Sequence, residues 1–400
     1  MDIRSNEPFW LIKNSMEESY PSLTEDIDVP IVIIGAGITG ALIAYQLLKN
    51  KREVIMIDRR DVFNGSSAAS TAMLQYEIDV PLHELIDQVG LTNAVSSYKS
   101  CEQAIFNLEE IVDEIKSKCD FQLKKSVYFT TEKKKIQFLK DEFDARAAHG
   151  FDVKWLEAEH LRAMGILKGK AAIQSKSGAV MDPYKLAHDL LQFCTKKGMK
   201  IYDRTEIQTI KQEKEHLMLT TVKGIHIKTQ DVIHCTGYES VATLNEDIVK
   251  LKSTYAVASE ALPKLPKAFK ECIFWDTSEP YLYFRSTEEG RIIMGGGDSE
   301  FKNAKRRDAL LPKKEKTLTK AFKQTFQDID FILDYAWAGT FGETEDGLPY
   351  IGKPDPDRNE HYVLGFGGNG ITFSVMAMDA IIPSLDNKPH TYLEYYKFGR

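Results

Sequence analysis

The stretch that decides the fold reads Ile31-Val-Ile-Ile34-Gly35-Ala-Gly37-Ile38-Thr39-Gly40-Ala-Leu-Ile-Ala44, and it is answered downstream by Val54-Ile-Met-Ile57-Asp58. Ile31 to Ile34 is short, apolar and β-branched, the pattern of a parallel strand buried on both faces. Gly35-x-Gly37-x-x-Gly40 follows at once, and Leu42, Ile43, Leu47 and Leu48 then keep a helical spacing. A second apolar run ends in an acid. Together these pieces form a βαβ dinucleotide fingerprint. Gly35 permits the tight turn, Gly37 lets backbone approach a pyrophosphate, and Gly40 with Ala44 lets helix and strand pack closely. The free N–H groups that open the helix then face the phosphates. Asp58 stands about 20 residues on, where a carboxylate holds a ribose hydroxyl, and an acid there favours FAD or NAD over NADP.

The rest of the composition narrows the class. A chain of 400 residues with 43% hydrophobic content suggests two domains, or one large domain with insertions. Its net charge of −7 argues against nucleic acid or an anionic membrane as the main partner. Cys101, Cys119, Cys194, Cys235 and Cys272 are scattered, with no CxxC or metal-ligand spacing, and read as buried reduced thiols of a cytoplasmic protein. The polar stretch up to Asp28 is no signal peptide, and the apolar run 31–44 is too short to cross a bilayer.

Along the chain, Phe9, Trp10 and Leu11 can dock on the body. Arg59 opens a loop that continues through Asn64-Gly-Ser66-Ser67-Ala68-Ala69-Ser70-Thr71-Ala72, placed to reach the same pyrophosphate; Ser66 or Ser67 would also serve as a helix N-cap. Residues 83–117 predict one long helix or two abutting ones, 134–149 another, and 312–328 another. Asp182-Pro183 marks a further helix start. Residues 206–235 read as a meander of strands ending in His234-Cys-Thr236-Gly237, and 251–295 are β-rich. Near the end, strand 362–364 runs into Gly365-Phe-Gly367-Gly368-Asn369-Gly370-Ile371-Thr372 and an apolar helix. A helix N-terminus there would favour negative charge on a ligand edge. This loop lies far from the first fingerprint, so one ligand serves both only if it is long, as a flavin dinucleotide is. Strand alternation puts Tyr281, Tyr283 and Arg285 on one sheet face, a candidate substrate face.

With both ends read, the chain resembles the D-amino-acid-oxidase-like family of FAD-dependent oxidoreductases, the group of glycine oxidase, sarcosine oxidase and γ-glutamylputrescine oxidoreductase. The carrying stretches are Ile33–Ala44 with Asp58, Gly65–Ala72, Met181–Pro183 through Ile207, His234–Gly237, and Asp346–Gly352 with Gly365–Thr372. The resemblance implies an α/β fold: a discontinuous Rossmann-like FAD-binding domain and an α+β substrate domain with an antiparallel sheet. The implied division assigns 1–110, 173–241 and 329–400 to FAD, and 111–172 and 242–328 to substrate. It implies oxidation of a CH–NH bond of a small amine or of an amino or imino acid, with oxygen or another electron acceptor. It also implies that Ile207 meets adenine, that Ser67, Ser70 and Thr71 line the pyrophosphate and ribityl chain, and that Gly368–Thr372 face the isoalloxazine.

Two departures stand out. Phe341 holds the place after Trp-x-Gly-x where amino-acid oxidases of the family carry a carboxylate-clamping Arg, unless Arg285 substitutes from another strand. Gly339 and Ala68-Ala69 offer no cysteine or histidine for a covalent flavin, so non-covalent FAD is expected. The competing readings are a non-catalytic flavoprotein with an assembly role and an NAD-dependent dehydrogenase.

Overall fold

A computed structural model describes residues 2–5, 7–15, 17–242, 244, 248–365 and 367–400. Its organising strand is Ile27–Ile34, with Val32 and Ile33 fully buried. Ile55–Ile57 and His226–His234 flank it in parallel, and Lys200–Tyr202 extends the parallel edge. On the other side the antiparallel strands Leu217–Thr221 and Ile207–Gln212 continue the sheet. Glu360–Leu364 pairs in parallel with the last residues of His226–His234, and Tyr350–Gly352 folds back on it. Strands from three distant stretches of chain therefore build one eight-stranded sheet. Helices Ile38–Lys49, Pro183–Lys196, Leu91–Ile115 and Gly370–Leu385 pack together in a single core against it. The expected start of the second of these is as read: the Asp182 carboxylate accepts from the N–H groups of Tyr184 and Lys185 at 3.1 and 3.0 Å.

A second eight-stranded sheet runs, from edge to edge, through Leu333–Glu343, Lys250–Ser259, Ile292–Glu300, Leu282–Ser286, Cys272–Asp276, Lys125–Thr130, Ala171–Ser175 and Val153–Glu157. It is antiparallel except where Cys272–Asp276 meets Lys125–Thr130 in parallel. That junction joins two separate stretches of chain, so no hairpin constrains its direction. Helix Ala304–Thr325 covers one face, burying Leu318 and Phe322. The helix starts well before the expected residue 312, because Asn303 caps it by accepting from the Arg306 N–H at 2.9 Å. Pro312 then lies inside, where burial of the helix outweighs one lost backbone hydrogen bond. Residues 82–115 form two abutting helices, Leu82–Val89 and Leu91–Ile115, broken at Gly90, whose φ is 81°. All five cysteines are buried and free. Among the described residues, no helix is long and apolar enough to cross a membrane.

The segment before the first strand is a strap across both sheets. The Ser5 N–H donates to the Ala338 carbonyl at 2.9 Å and the Thr340 N–H to the Ile3 carbonyl at 2.8 Å, so the strap lies along strand Leu333–Glu343. It then forms helix Phe9–Asn14, which buries Phe9 and Trp10, and reaches the start of Pro183–Lys196 through Asn14 and Asp182 at 2.8 Å.

Helix Pro183–Lys196 also carries His188, which is fully buried between Phe63 and Tyr184, with ring centroids 4.5 Å from each and no hydrogen-bond partner on either ring nitrogen. Burial, helped by Lys185, pushes its pKa down from 6.5 to about 4. Between those values the unfolded chain binds a proton that the folded chain does not, so stability is lost as pH falls below 6.5. The expected loss at pH 5 is roughly 2 kcal/mol from this ring. Urea unfolding of the wild type and of His188→Leu at pH 7 and pH 5 checks it: the substituted protein should lose distinctly less between the two.

Candidate active site

The fingerprint turn is built around two backbone approaches. A Cβ on Gly40 would lie 2.0 Å from the Gly35 carbonyl oxygen, and one on Gly35, whose φ is 109°, would lie 2.5 Å from the Cys235 carbonyl oxygen. Only glycine lets the helix and the neighbouring strand end come this close. Asp58 is tied into the same turn: its Oδ2 accepts from the Ala36 N–H at 2.7 Å and its Oδ1 from the Arg60 N–H at 2.8 Å. Burial pushes its pKa up, and these two N–H groups oppose that shift.

A cleft of about 820 Å³ opens over this turn. Gly35, Gly37, Ile38 and Thr39 line it from the first loop, and Asp58 and Arg59 from the end of the second strand. Ser66, Ser67, Ser70, Thr71 and Ala72 line it from the hydroxyl-rich loop, and Ile207, Thr236 and Gly237 from the strands beyond. Gly367, Gly368, Asn369, Gly370, Ile371 and Thr372 line it from the far end. Phe366, within the last loop, lies outside the described residues. Gly40 stands behind the wall as a packing residue. The two helices that open on the cleft are joined directly, Thr39 Oγ1 to Ser374 Oγ at 2.8 Å. Fingerprints more than three hundred residues apart in sequence thus face one cavity.

The hydroxyl-rich loop differs from expectation in its local role. Ser66–Ala69 is one helical turn capped by Gly65 with no side-chain bond. Ser67 instead caps the other helix, accepting from the Ile38 N–H at 3.0 Å. Four successive carbonyls of the loop are taken up by side chains from outside it. Trp337 Nε1 donates to Ala69 at 2.9 Å, Trp10 Nε1 to Ser70 at 2.7 Å, and Arg285 Nη1 to Thr71 and Ala72 at 2.8 Å each. Arg285 also reaches the Met181 carbonyl at 2.8 Å and sits under Trp10, its carbon 5.5 Å from the ring centroid. A row of carbonyl dipoles in a cleft wall repels anions; indole and guanidinium donors cancel it. Burial lowers the Arg285 pKa to about 10, which leaves it charged at neutral pH.

Arg285 therefore does not stand free for a substrate carboxylate; four backbone carbonyls hold it, the fourth being that of Ser286, which accepts from Nε at 3.1 Å. Tyr281 and Tyr283 share its face, as alternation predicts, and lie just past the end of the cleft rather than in its wall. Phe341 is on the same face of the edge strand, in register with Lys252. Arg59 lies against Glu239 and Glu206, and Arg60 against Glu239 at 2.7 Å. Sequence reading missed Asp79 and Gln75, which belong to no motif and reach the site only through folding. The Asp79 carboxylate accepts from the Gly368 N–H at 2.7 Å, and the Gln75 amide nitrogen, in the cleft wall, is buried with no hydrogen-bond partner.

Residues 30–380 match the model of the DAO family, described as FAD dependent oxidoreductase. The chain belongs to this family. The DAO-family chain is 26% identical over 392 residues to a putative Rieske 2Fe-2S iron–sulfur protein of Bacillus subtilis strain 168, covering 96% of this chain and 74% of that one. It is 21% identical over 376 residues to the γ-glutamylputrescine oxidoreductase of Escherichia coli K12, covering 90% and 84%. Among solved structures it is similar to glycine oxidase from Geobacillus kaustophilus, with a TM-score of 0.78 at 19% identity over 93% of this chain and 99% of that one. The fold is that of this FAD-dependent family, and the cleft fits the cofactor. Its glycine-lined floor admits backbone contact with phosphates, its size suits a large ligand, and the Gln75 nitrogen lacks an acceptor.

Two substitutions test the cleft. Gly40→Ala forces the helix off the turn and should destabilise the protein by about 1–3 kcal/mol, with FAD content falling in parallel. Arg285→Met leaves four carbonyls without their donor and should cost at least about 2 kcal/mol, with weaker FAD binding than any stability loss alone produces. Thermal melts with and without added FAD, together with the flavin-to-protein absorbance ratio, measure both.

Proposed function

We propose that this protein oxidises the CH–NH bond of a small amine, or of an amino or imino acid, with FAD held without a covalent link. The observation that carries the reading is the joint cleft: two glycine loops from opposite ends of the chain open on one cavity, and Gly368 at its far end lies beside the Tyr281 hydroxyl, 3.1 Å from where a Cβ would fall. The names of similar proteins, glycine oxidase and γ-glutamylputrescine oxidoreductase, support a substrate of this class.

In this reading Gly35, Gly37 and the N–H groups opening helix Ile38–Lys49 hold the pyrophosphate with Ser66, Ser67, Ser70 and Thr71. Asp58 and Arg59 hold the adenosine ribose, and Ile207, Thr236 and Gly237 its surroundings. Gly367 to Thr372 carry the ring end, where the N-terminus of helix Gly370–Leu385 favours negative charge. When bound, FAD supplies the hydride acceptor for the substrate carbon. The chain's own work is to bind the neutral amine, orient its C–H bond and exclude water from the ring face; the resulting imine then hydrolyses to a carbonyl and an amine. Gly339 and Ala69 face each other, with a Cβ on Gly339 falling 3.5 Å from that of Ala69, and neither offers a nucleophile to a flavin.

The visible spectrum of the purified protein, repeated on the supernatant after acid precipitation, tests the cofactor reading. Flavin released into the supernatant is expected, followed by anaerobic bleaching with a member of an amine panel. Colour retained in the pellet would mean a covalent link, and a bound flavin that no amine or amino acid reduces would overturn the oxidation reading.

A further inference from the structure

Past the ring end of the cleft lies a group of side chains that the cofactor argument does not use. Asp79 spans it: Oδ2 takes the Gly368 N–H at 2.7 Å, and Oδ1 accepts from the Tyr281 hydroxyl at 3.1 Å. The Tyr281 ring centroid is 5.9 Å from that of Tyr283 and 6.3 Å from that of Trp275. Tyr283 lies across Gly295, where a Cβ would fall 2.2 Å from its hydroxyl. Its phenol interacts with the hydroxyls of Thr71, in the cofactor loop, and Thr254. Asp298 interacts with the same Thr254 and has its Oδ1 buried with no hydrogen-bond partner.

The charges around this group are unbalanced locally. Arg285, on the same face, is held by four carbonyls. Lys252 is paired with Glu343 at 2.5 Å, and Lys314 donates to the Gly297 carbonyl. Among the described residues, neither Asp79 nor Asp298 makes an ion pair with any of these cations. Burial raises the pKa of both carboxyls, that of Asp298 to about 6, and the Asp79 charge adds to the Asp298 shift. Lys252 opposes the Asp298 shift without meeting the buried oxygen. Both aspartates are partly exposed, with the Asp298 Oδ1 atom itself buried; a partly buried carboxylate without a cation is costly, and tyrosine faces attract cations, so a cationic ligand relieves what the protein leaves unpaired. A ligand carboxylate in the same place meets like charge.

We infer that this end of the site binds an aliphatic di- or polyamine, with Asp79 and Asp298 holding its non-reacting ammonium and Tyr281 and Tyr283 walling it. The inference rests on the amine-oxidation reading above and selects, within it, cationic amines over α-amino acids. Asp79 and Asp298 are then substrate-binding residues, while the reacting nitrogen, unprotonated, lies toward Thr71 and the glycine loop.

The FAD-loaded protein is mixed anaerobically with diaminobutane, glycine or sarcosine while flavin bleaching is followed, and is titrated separately with tetramethylammonium chloride or sodium acetate while the flavin spectrum is recorded. Diaminobutane should bleach the flavin at least about tenfold more efficiently than either amino acid, a margin in the range for a desolvated charge pair. Asp298→Asn, with unchanged FAD content, and independently Asp79→Asn, assayed on its FAD-loaded fraction, should raise KM for diaminobutane about tenfold with a smaller change in kcat. Tetramethylammonium should perturb the flavin spectrum of the wild type and not of the variants. Faster bleaching by glycine or sarcosine overturns the inference and leaves the oxidation reading intact. If nothing bleaches the flavin, the oxidation reading falls, and the spectral titration decides the cation site: a perturbation lost in both variants supports it, and no perturbation in the wild type overturns it.

Discussion

The structure depends on a contact with no room for a side chain: the start of helix Ile38–Lys49 against the carbonyl of Gly35. Close packing there holds the helix axis onto the strand end, so its first N–H groups open at the floor of the cleft instead of above it. Other contacts build on that position. Cys235 brings the end of strand His226–His234 against Gly35, Ser67 reaches Ile38 across the gap, and Thr39 meets Ser374 of the helix from the far end of the chain. A helix displaced by a methyl group would loosen all three.

The second fixed point is the loop 66–72, and here the two sheets act together. Its last four carbonyls point to donors that come from three places: the N-terminal strap, the edge strand with Trp337, and the strand with Arg285. The loop is thus fastened by the second sheet while it lines the cleft. This arrangement couples the two halves. A change in the second sheet is felt by the loop that lines the dinucleotide cleft, and the strap, sealed by buried Phe9 and Trp10, is part of the same fastening. It also explains why Arg285 serves the backbone rather than a ligand.

Local patterns were enough for much of this. The βαβ unit and the Asp182 cap rest on short-range chemistry: β-branched runs, glycine turns and capping carboxylates act within a few residues of themselves. The glycine loop at 365–372 was also legible, as was the alternation that puts Tyr281, Tyr283 and Arg285 on one face. Helix Ala304–Thr325 was read short, because Pro312 looks like a start signal and the Asn303 cap lies hidden in a polar stretch. Ser66 and Ser67 both suit the cap of their own turn, whereas the partner of Ser67 is twenty-nine residues away.

What the amino-acid sequence determined by itself was the dinucleotide fold and the residues that surround its cleft, since glycine spacing and strand composition express backbone requirements that hold wherever the segment sits. Tertiary structure alone decided how charged side chains are used. Arg285 could serve a carboxylate or a row of carbonyls, and only the neighbouring loop settles that it serves the carbonyls. Asp79 and Asp298 carry no motif, and they became visible only when folding placed them beside Tyr281 and Thr254 with their nearest cations already engaged. A charge acts through space on whatever is near it, and nearness between residue 79 and residue 298 is a property of the packed sheets, not of the chain.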